Sequence, residues 1–318
     1  MQAQNLWGVI TGRRRPLRRS TAEAMEGLLF VSPWALGFLI LTFGPMVASL
    51  GLSFTRYSIV RPPEFLGIGN YVRAFSGADR LFYSSLVRTA YFVLFFVPLG
   101  ISISFTLAML LNRPMKGTSI YRTLFFLPSL TPAAAATLLW IWLLNPEVGA
   151  VNFALLRLGI QGPRWLASPQ WALPSVVMIA VWASAGGSQM IIFLAGLQGV
   201  PEELYDAANI DGANAWRRFV NVTLPMVSPV IFFNMILSAI GAWRVFTVAF
   251  MGTGGGPAYA TWFYMLHLYT TAFRSLHMGY GSSLAWVLFA IVMSITIFQF
   301  QLSRSWVYYA GEITEGGA

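Results

Sequence analysis

Four of the chain's 11 acidic residues, Glu202, Glu203, Asp206 and Asp211, stand together in the stretch EELYDAANIDGANAWRRFVNVTLP at residues 202–225. The chemistry such a stretch offers is recognition rather than bond-making. Glu202 and Glu203 follow Pro201, and carboxylates in a first helical turn complement the positive end of the helix dipole. Ala207 and Ala208 give that helix a flat, small face suited to a groove on a partner. Gly212 can end it in a left-handed conformation. Residues 213–222 can then form a second helix, which Leu224 and Pro225 stop as the next apolar run begins. Two readings fit these residues: a docking element, or a solvated hairpin that merely joins its neighbours.

Bond-making chemistry is poorly supplied elsewhere. With no Cys, disulfides, thiolate metal sites and thiol catalysis are excluded. His267 and His277, the two histidines, lack the HExxH spacing of a zinc site, so no metal ligand is assigned. A Walker loop needs Lys directly after Gly to reach the phosphates, and the single lysine, Lys116, follows Met115. Any ATP chemistry therefore belongs to a separate polypeptide. The long apolar runs hold neither Asp nor Glu, which weighs against an intramembrane enzyme and against a proton-coupled carrier. An ion-coupled secondary transporter using backbone carbonyls stays open as the alternative.

Small polar residues inside the apolar runs are the remaining candidates. Asn234, Ser238 and Gly241 are spaced to share one helical face, and Ser184 and Ser188 are likewise a turn apart. Gln189 follows them, beside the pair Gly186–Gly187. Together they offer room and hydrogen-bond partners for a hydroxylated solute; close helix–helix packing is the competing reading. Arg244 is the one basic residue well inside an apolar run, either lining a path or snorkelling to the interface. Trp182, Trp243, Tyr259 and Trp262 could stack on a sugar ring, although an aromatic belt at the interface also accounts for Tyr259 and Trp262.

The elements that must position these residues are membrane helices. Hydrophobic residues make up 57% of the chain and charged residues 10%, against about 25% charged in soluble domains. Six apolar segments, at 28–54, 86–111, 124–144, 172–197, 226–251 and 282–302, are each long enough to cross the hydrocarbon core. The first exceeds the h-region of a signal peptide and has no clean A-x-A site after it. The expected fold is all-α, with six transmembrane helices and a helix pair between spans four and five. Residues 1–27 form a basic arm, 28–304 the membrane domain with its loop at 199–225, and 305–318 a tail. Pro33, Pro45, Pro98, Pro128, Pro132 and Gly186–Gly187 interrupt the spans, as kinks for packing or, at the glycine pair, as the wall of a cavity.

Net charge is +9, yet the basic residues sit at the ends of apolar runs, so nucleic acid is not a partner. Arg13, Arg14, Arg15, Arg18 and Arg19 lie in the arm, Arg113, Lys116 and Arg122 after the second span, and Arg217, Arg218 and Arg304 further on. The other side carries Arg56, Arg61, Arg73, Arg80, Arg157, Arg164 and Arg274. The positive-inside rule then puts both termini and the acidic loop in the cytoplasm.

The acidic loop resembles that of permease subunits of binding-protein-dependent ABC importers, which reads E-A-A, three residues, G, nine residues, I-x-L-P. Here the same spacing holds Asp206-Ala207-Ala208, Gly212, Val222 and Leu224-Pro225, with Asp for Glu and Val for Ile. LGIGNYVRAF (66–75), TGGGP (253–257) and HMGYGSS (277–283) look like loops of the sugar-type members, the maltose, trehalose and glycerol-phosphate class; Thr247 stands where many of them have Asp. The resemblance implies a multi-pass inner-membrane subunit that carries no cofactor and catalyses nothing itself. It also implies coupling to a dimer of cytoplasmic ATPases, holding ATP and Mg, through Glu203, Asp206, Ala207, Ala208, Asp211, Gly212, Ala213, Leu224 and Pro225. A second permease subunit and an extracytoplasmic solute-binding protein complete the expected assembly, and the solute path would run past Ser184, Ser188, Gln189, Asn234, Ser238, Gly241 and Arg244.

Overall fold

The computed structural model describes residues 17–113 and 115–308. Arg13, Arg14 and Arg15 of the basic arm, and the tail from residue 309, lie outside the described residues. Contacts divide the chain after Leu52 into two units. The first is an apolar helix in two parts, α1 (Leu17–Phe38) and α2 (Gly44–Ser53), joined through a π-turn at Leu39–Phe43. None of its residues from 23 to 52 is buried, so it presents apolar side chains all round, a surface suited to hydrocarbon.

The second unit opens with a hairpin of β1 (Thr55–Ser58) and β2 (Arg61–Phe65), antiparallel, with Thr55 opposite Phe65 and Arg56 opposite Glu64. The short helix α3 (Gly69–Phe75) follows, and its Asn70 amide donates to the carbonyls of Ser53 and Thr55, both at 2.9 Å. The long helix α4 (Arg80–Leu111) comes next, then α5 (Thr118–Leu130), α6 (Ala133–Leu143), α7 (Ala150–Arg157), α8 (Pro169–Ala185) and α9 (Ser188–Gln198). α10 (Glu202–Ile210) and α11 (Ala215–Arg218) lead into α12 (Leu224–Trp243), followed by α13 (Thr247–Gly252), α14 (Tyr264–Tyr269) and α15 (Met278–Ser303). α4 is the axis of this unit, packed by α8, α9, α12 and α14.

Among the described residues, four helical stretches are long and apolar enough to cross a membrane: Glu23–Ser53, Arg80–Leu111, Ala215–Gly252 and Met278–Ser303. The other two expected segments are bent pairs, α5 with α6 at 95° and α8 with α9 at 48°. The count is therefore four, or six if each bent pair is one span. Each bend has a local cause. Thr131 precedes Pro132 and is extended (φ −74°, ψ 128°), the conformation proline imposes on its predecessor, and α6 restarts after it. Between α8 and α9, a side chain on Gly186 would place its Cβ 2.0 Å from the carbonyl oxygen of Phe125, so α5 runs directly against this backbone.

The other prolines do not interrupt their helices. Pro33, Pro98 and Pro128 lie inside α1, α4 and α5. Pro45 and Pro225 each enter just after a π-turn, at Leu39–Phe43 and Phe219–Thr223. There the N–H of Gly44 reaches back to Leu39, and that of Leu224 to Phe219, so the helix widens by one residue before the proline and continues. Pro225 therefore does not stop the second loop helix, as the sequence suggested; α11 is the first turn of the following span.

Three apolar clusters fill the second unit. One surrounds Phe105, Phe193, Leu197 and Val227 near the α10 end; one surrounds Phe92, Val176, Ala239 and Phe263 at mid-height; one surrounds Phe82, Trp243, Tyr264 and Leu284 at the far end.

Candidate functional site

At mid-height α4, α8, α9 and α12 line an open cavity of about 420 Å³. Five of the seven residues expected along a path meet there: Ser188 and Gln189 at the start of α9, and Asn234, Ser238 and Gly241 down one face of α12. The bend after α8 makes this possible, because it turns the first residues of α9 towards α12. Gln189 then spans the gap. Its amide nitrogen donates to the Ser238 hydroxyl, and its carbonyl accepts from Ser104 of α4 at 3.2 Å.

Asn234 is fully buried in this wall. Its amide nitrogen donates to the Val230 carbonyl one turn back at 3.0 Å, while its Oδ1 has no partner among the described residues. An orphaned buried acceptor costs about 1–3 kcal/mol. The residue borders the cavity, but its Oδ1 is covered in this conformation, so a donor would reach it only if the wall moved.

Part of the lining is aromatic. Phe92 and Phe96 of α4 line the cavity with rings stacked at 5.1 Å and 10°, and Phe92 also meets Phe263 at 5.4 Å. The sequence reading missed this pair. Phenylalanines a turn apart were visible in YFVLFFVPLG, but in an apolar run that spacing is equally the mark of core packing.

Two path candidates are elsewhere. Ser184 is on α8, before the break, and does not line the cavity; its hydroxyl donates to the Val181 carbonyl at 3.3 Å. Arg244 is exposed and does not line the cavity: it sits at the C-cap of α12, where a cation meets the negative end of the helix, rather than within the helix. The aromatics singled out by sequence do not line the cavity either. Trp182 packs on Trp140 at 5.3 Å, Trp243 is buried in the far cluster, and Tyr259 packs on Trp262. A larger groove of about 820 Å³ between α4, α5 and α8 is lined almost wholly by apolar side chains and holds none of the polar candidates.

The acidic element stands at the near end. α10 carries Glu203, Asp206, Ala207 and Ala208, with Glu202 and Glu203 in its first turn. Gly212 has φ +72°, and the Ala213 N–H reaches back to Ala208 at 2.9 Å, closing the helix in a Schellman-type turn with Asp211 at its cap. Asn214 caps α11 by accepting from the Arg217 N–H at 2.9 Å. Two side-chain bonds then brace α10 on the start of the next span: Arg218 to Asn209 at 2.6 Å, and Tyr205 with Thr223 at 3.0 Å. Leu224 and Pro225 lie beyond these braces, within the continuous helix. The outward face is left free, with Ile210 87% and Trp216 68% exposed beside Glu203, Asp206, Ala207 and Asp211.

Residues 97–306 match the family described as the binding-protein-dependent transport system inner membrane component. Over 291 residues the chain is 40% identical to the probable ABC transporter permease protein YesP of Bacillus subtilis (strain 168), covering 90% of this chain and 93% of that one. It is 33% identical over 285 residues to the sulfoquinovosyl glycerol transport system permease protein SmoG of Agrobacterium fabrum, covering 89% and 92%. Over 286 residues it is 32% identical to the trehalose/maltose transport system permease protein MalF of Thermococcus litoralis, covering 89% and 95%. Its fold is similar to a chain in the crystal structure of a bacterial alginate ABC transporter in complex with an alginate pentasaccharide-bound periplasmic protein, with TM-score 0.80, 21% identity, and coverage of 92% and 98%.

Proposed function

The chain belongs to the binding-protein-dependent transport system inner membrane components, in the sugar-type class of ABC transporter permeases, and from that premise we propose that it forms half of a sugar-conducting path and couples that path to a separate ATPase. The observation that carries the proposal is the cavity between α4, α8, α9 and α12. Its lining combines a stacked phenyl pair with two amide and two hydroxyl side chains. A pyranose has an apolar face for the phenyl rings and hydroxyls that can exchange hydrogen bonds with the polar side chains of the lining, the pairing that small-molecule sites use to combine affinity with orientation. Relatives named for trehalose/maltose and lactose transport support a sugar or sugar-like solute.

In this reading the two bent pairs are spans three and four of six, and both termini and α10 face the cytoplasm. α10 enters a groove on a cytoplasmic ATPase dimer, which binds ATP and Mg. Closure of that dimer moves α10, and the braces at Asn209–Arg218 and Tyr205–Thr223 pass the movement directly into α12 and its cavity face. A second permease subunit supplies the other wall, and a solute-binding protein delivers at the far side. Family membership and the lack of carboxylates in the predicted spans disfavour the secondary-carrier alternative.

The test is purification of the tagged chain from its native membrane in mild detergent, with the co-purifying proteins identified by mass. A P-loop ATPase and a second permease are expected. A chain that emerges alone and moves sugar into liposomes without ATP would replace this reading with a secondary carrier.

A further inference from the structure

The groove of about 820 Å³ between α4, α5 and α8 takes no part in the sugar path. Along α4 it is lined by Tyr91, Phe95, Leu99, Ile103 and Leu107, which follow one another at four-residue spacing. From Tyr91 to Leu107 the groove follows about 24 Å of helix axis, at about 1.5 Å per residue. That exceeds the roughly 15 Å that one leaflet contributes to the hydrocarbon core. Its floor is closed by Val177, Val181 and Ala185 of α8, all buried, while Leu99 of α4 and Leu124 and Phe125 of α5 are exposed along its sides. Beyond Tyr91 every α4 residue of the lining is hydrocarbon. A sugar would lose its hydrogen bonds to water there and gain none in return; an acyl chain loses nothing.

One end of the groove is basic. Leu111, a turn beyond Leu107, is the last residue of α4, and its carbonyl accepts from the Arg122 guanidinium at 3.0 Å. Arg122 stands a turn before Phe125 on the same side of α5, so this bond fixes a guanidinium at the mouth of the groove. The turn that joins the two helices adds Arg113 and Lys116, both exposed. No acid answers them locally. The sequence has none between Asp79 and Glu147, and α8 and α9 hold none either. Among the described residues the one carboxylate–cation contact joins Asp79 to His267, and Asp79 caps the opposite end of α4. Exposed apolar side chains meet lipid anywhere on a membrane helix. A concave apolar floor that ends at three cations without a carboxylate partner is more selective than that.

We propose that the groove is a site for one anionic phospholipid, with an acyl chain along the floor at Val177, Val181 and Ala185 and the headgroup phosphate on Arg113, Lys116 and Arg122. Guanidinium and phosphate join through charge-assisted hydrogen bonds. Each basic residue beside an anionic headgroup strengthens binding about five-fold. The chain enters at the basic mouth and has more apolar length before it than one leaflet requires. It then lies beside the bend between α8 and α9, where the Phe125 carbonyl of α5 packs on Gly186. The site is built wholly from α4, α5, α8 and the turn between the first two. It requires that the chain reside in a membrane and nothing about solute, ATPase or orientation.

Because the chain has no Cys, single dye labels can be placed at Tyr121→Cys, a turn before Phe125 at the basic mouth, and at Phe289→Cys, an exposed position of α15 that does not line the groove. The full-length protein, with whatever accompanies it out of its membrane, is held in phosphatidylcholine nanodiscs. Chain-brominated phosphatidylglycerol or chain-brominated phosphatidylcholine is then titrated in, and bromine quenches a dye that it touches. At Tyr121→Cys, half-maximal quenching is expected at a mole fraction of the anionic lipid at least about five-fold below that of the zwitterionic one, the share of a single basic residue. At Phe289→Cys the two curves are expected to coincide. Arg113→Gln with Lys116→Gln, on the exposed turn, is expected to move the anionic curve at least about five-fold towards the zwitterionic one. Ile103→Trp, which fills the groove, is expected to weaken quenching by the anionic lipid. Equal curves at Tyr121→Cys would make this ordinary boundary lipid, and quenching by neither lipid would mean that a protein helix covers the groove. An undiminished preference in the double variant would remove the headgroup site, and quenching unchanged by Ile103→Trp would put the acyl chain elsewhere. Each of these overturns the proposal, and none bears on whether the chain conducts sugar.

Discussion

Asn234 combines complete burial with an unpartnered acceptor at the wall of a cavity. Seven side-chain atoms among the described residues are buried without a partner, and Asn234 is the residue of that group that borders this cavity. Replacing Asn234 by Leu removes one hydrogen bond to Val230 and one orphan together. Stability should therefore change by no more than about 1 kcal/mol, while uptake falls at least about ten-fold, the share of one well-placed hydrogen bond. Thermal unfolding of the purified protein and uptake by cells carrying the variant measure the two effects separately. A variant that unfolds early and loses uptake in proportion would make Asn234 a structural residue. The sequence already placed Asn234, Ser238 and Gly241 on one face, because helical periodicity is local. It treated Ser184 and Ser188 by the same argument, but there the helix breaks between them, and only Ser188 lines the cavity.

At the scale of elements, the break between α8 and α9 decides the site. Gly186 accommodates the carbonyl of Phe125, and Gly187 the side chain of Ser129, whose Cβ would lie 2.8 Å from an added methyl. A methyl at 186 meets backbone, which cannot rotate away. Gly186→Ala is expected to cost about 1–3 kcal/mol of stability and to lower the thermal midpoint more than Gly187→Ala does; equal midpoints would mean that α5 yields more easily than its contacts imply. α10 is an element of the opposite kind, exposed outward and braced only on its inner side. Gly212 at φ +72° holds a turn that proline, fixed near −65°, cannot adopt. Gly212→Pro, or charge reversal at Asp206, should leave the subunit inserted and the ATPase active but reduce uptake at least about ten-fold, the order of effect expected when a contact made by a docking element is lost. Wild-type uptake in both variants would remove α10 from the coupling role. The loop was legible because its signals are short-range: acids at a helix start, a glycine at its end, fixed spacing to Leu-Pro. The fate of Pro225 was not, because a π-turn has no local composition that announces it.

For the whole molecule, the proposed orientation has one direct consequence. Ile210 is 87% exposed at the end of α10, and the chain has no native cysteine to confuse a label. An Ile210→Cys variant should react with a membrane-impermeant maleimide in inside-out vesicles and stay unlabelled in right-side-out vesicles; the reverse pattern would invert the topology. The sequence by itself determined the class of protein, the apolar segments and the acidic helix with its glycine turn. Hydrophobic length, helix capping and motif spacing are properties of consecutive residues, and each carries its own physical warrant. Only the tertiary structure decided which polar groups meet. Gln189 reaches Ser238 and Ser104 because α9 bends at a glycine pair pressed against α5, and His267 reaches Asp79 across 188 positions of chain. Such meetings depend on how whole helices bend and pack, and no window of sequence contains both partners.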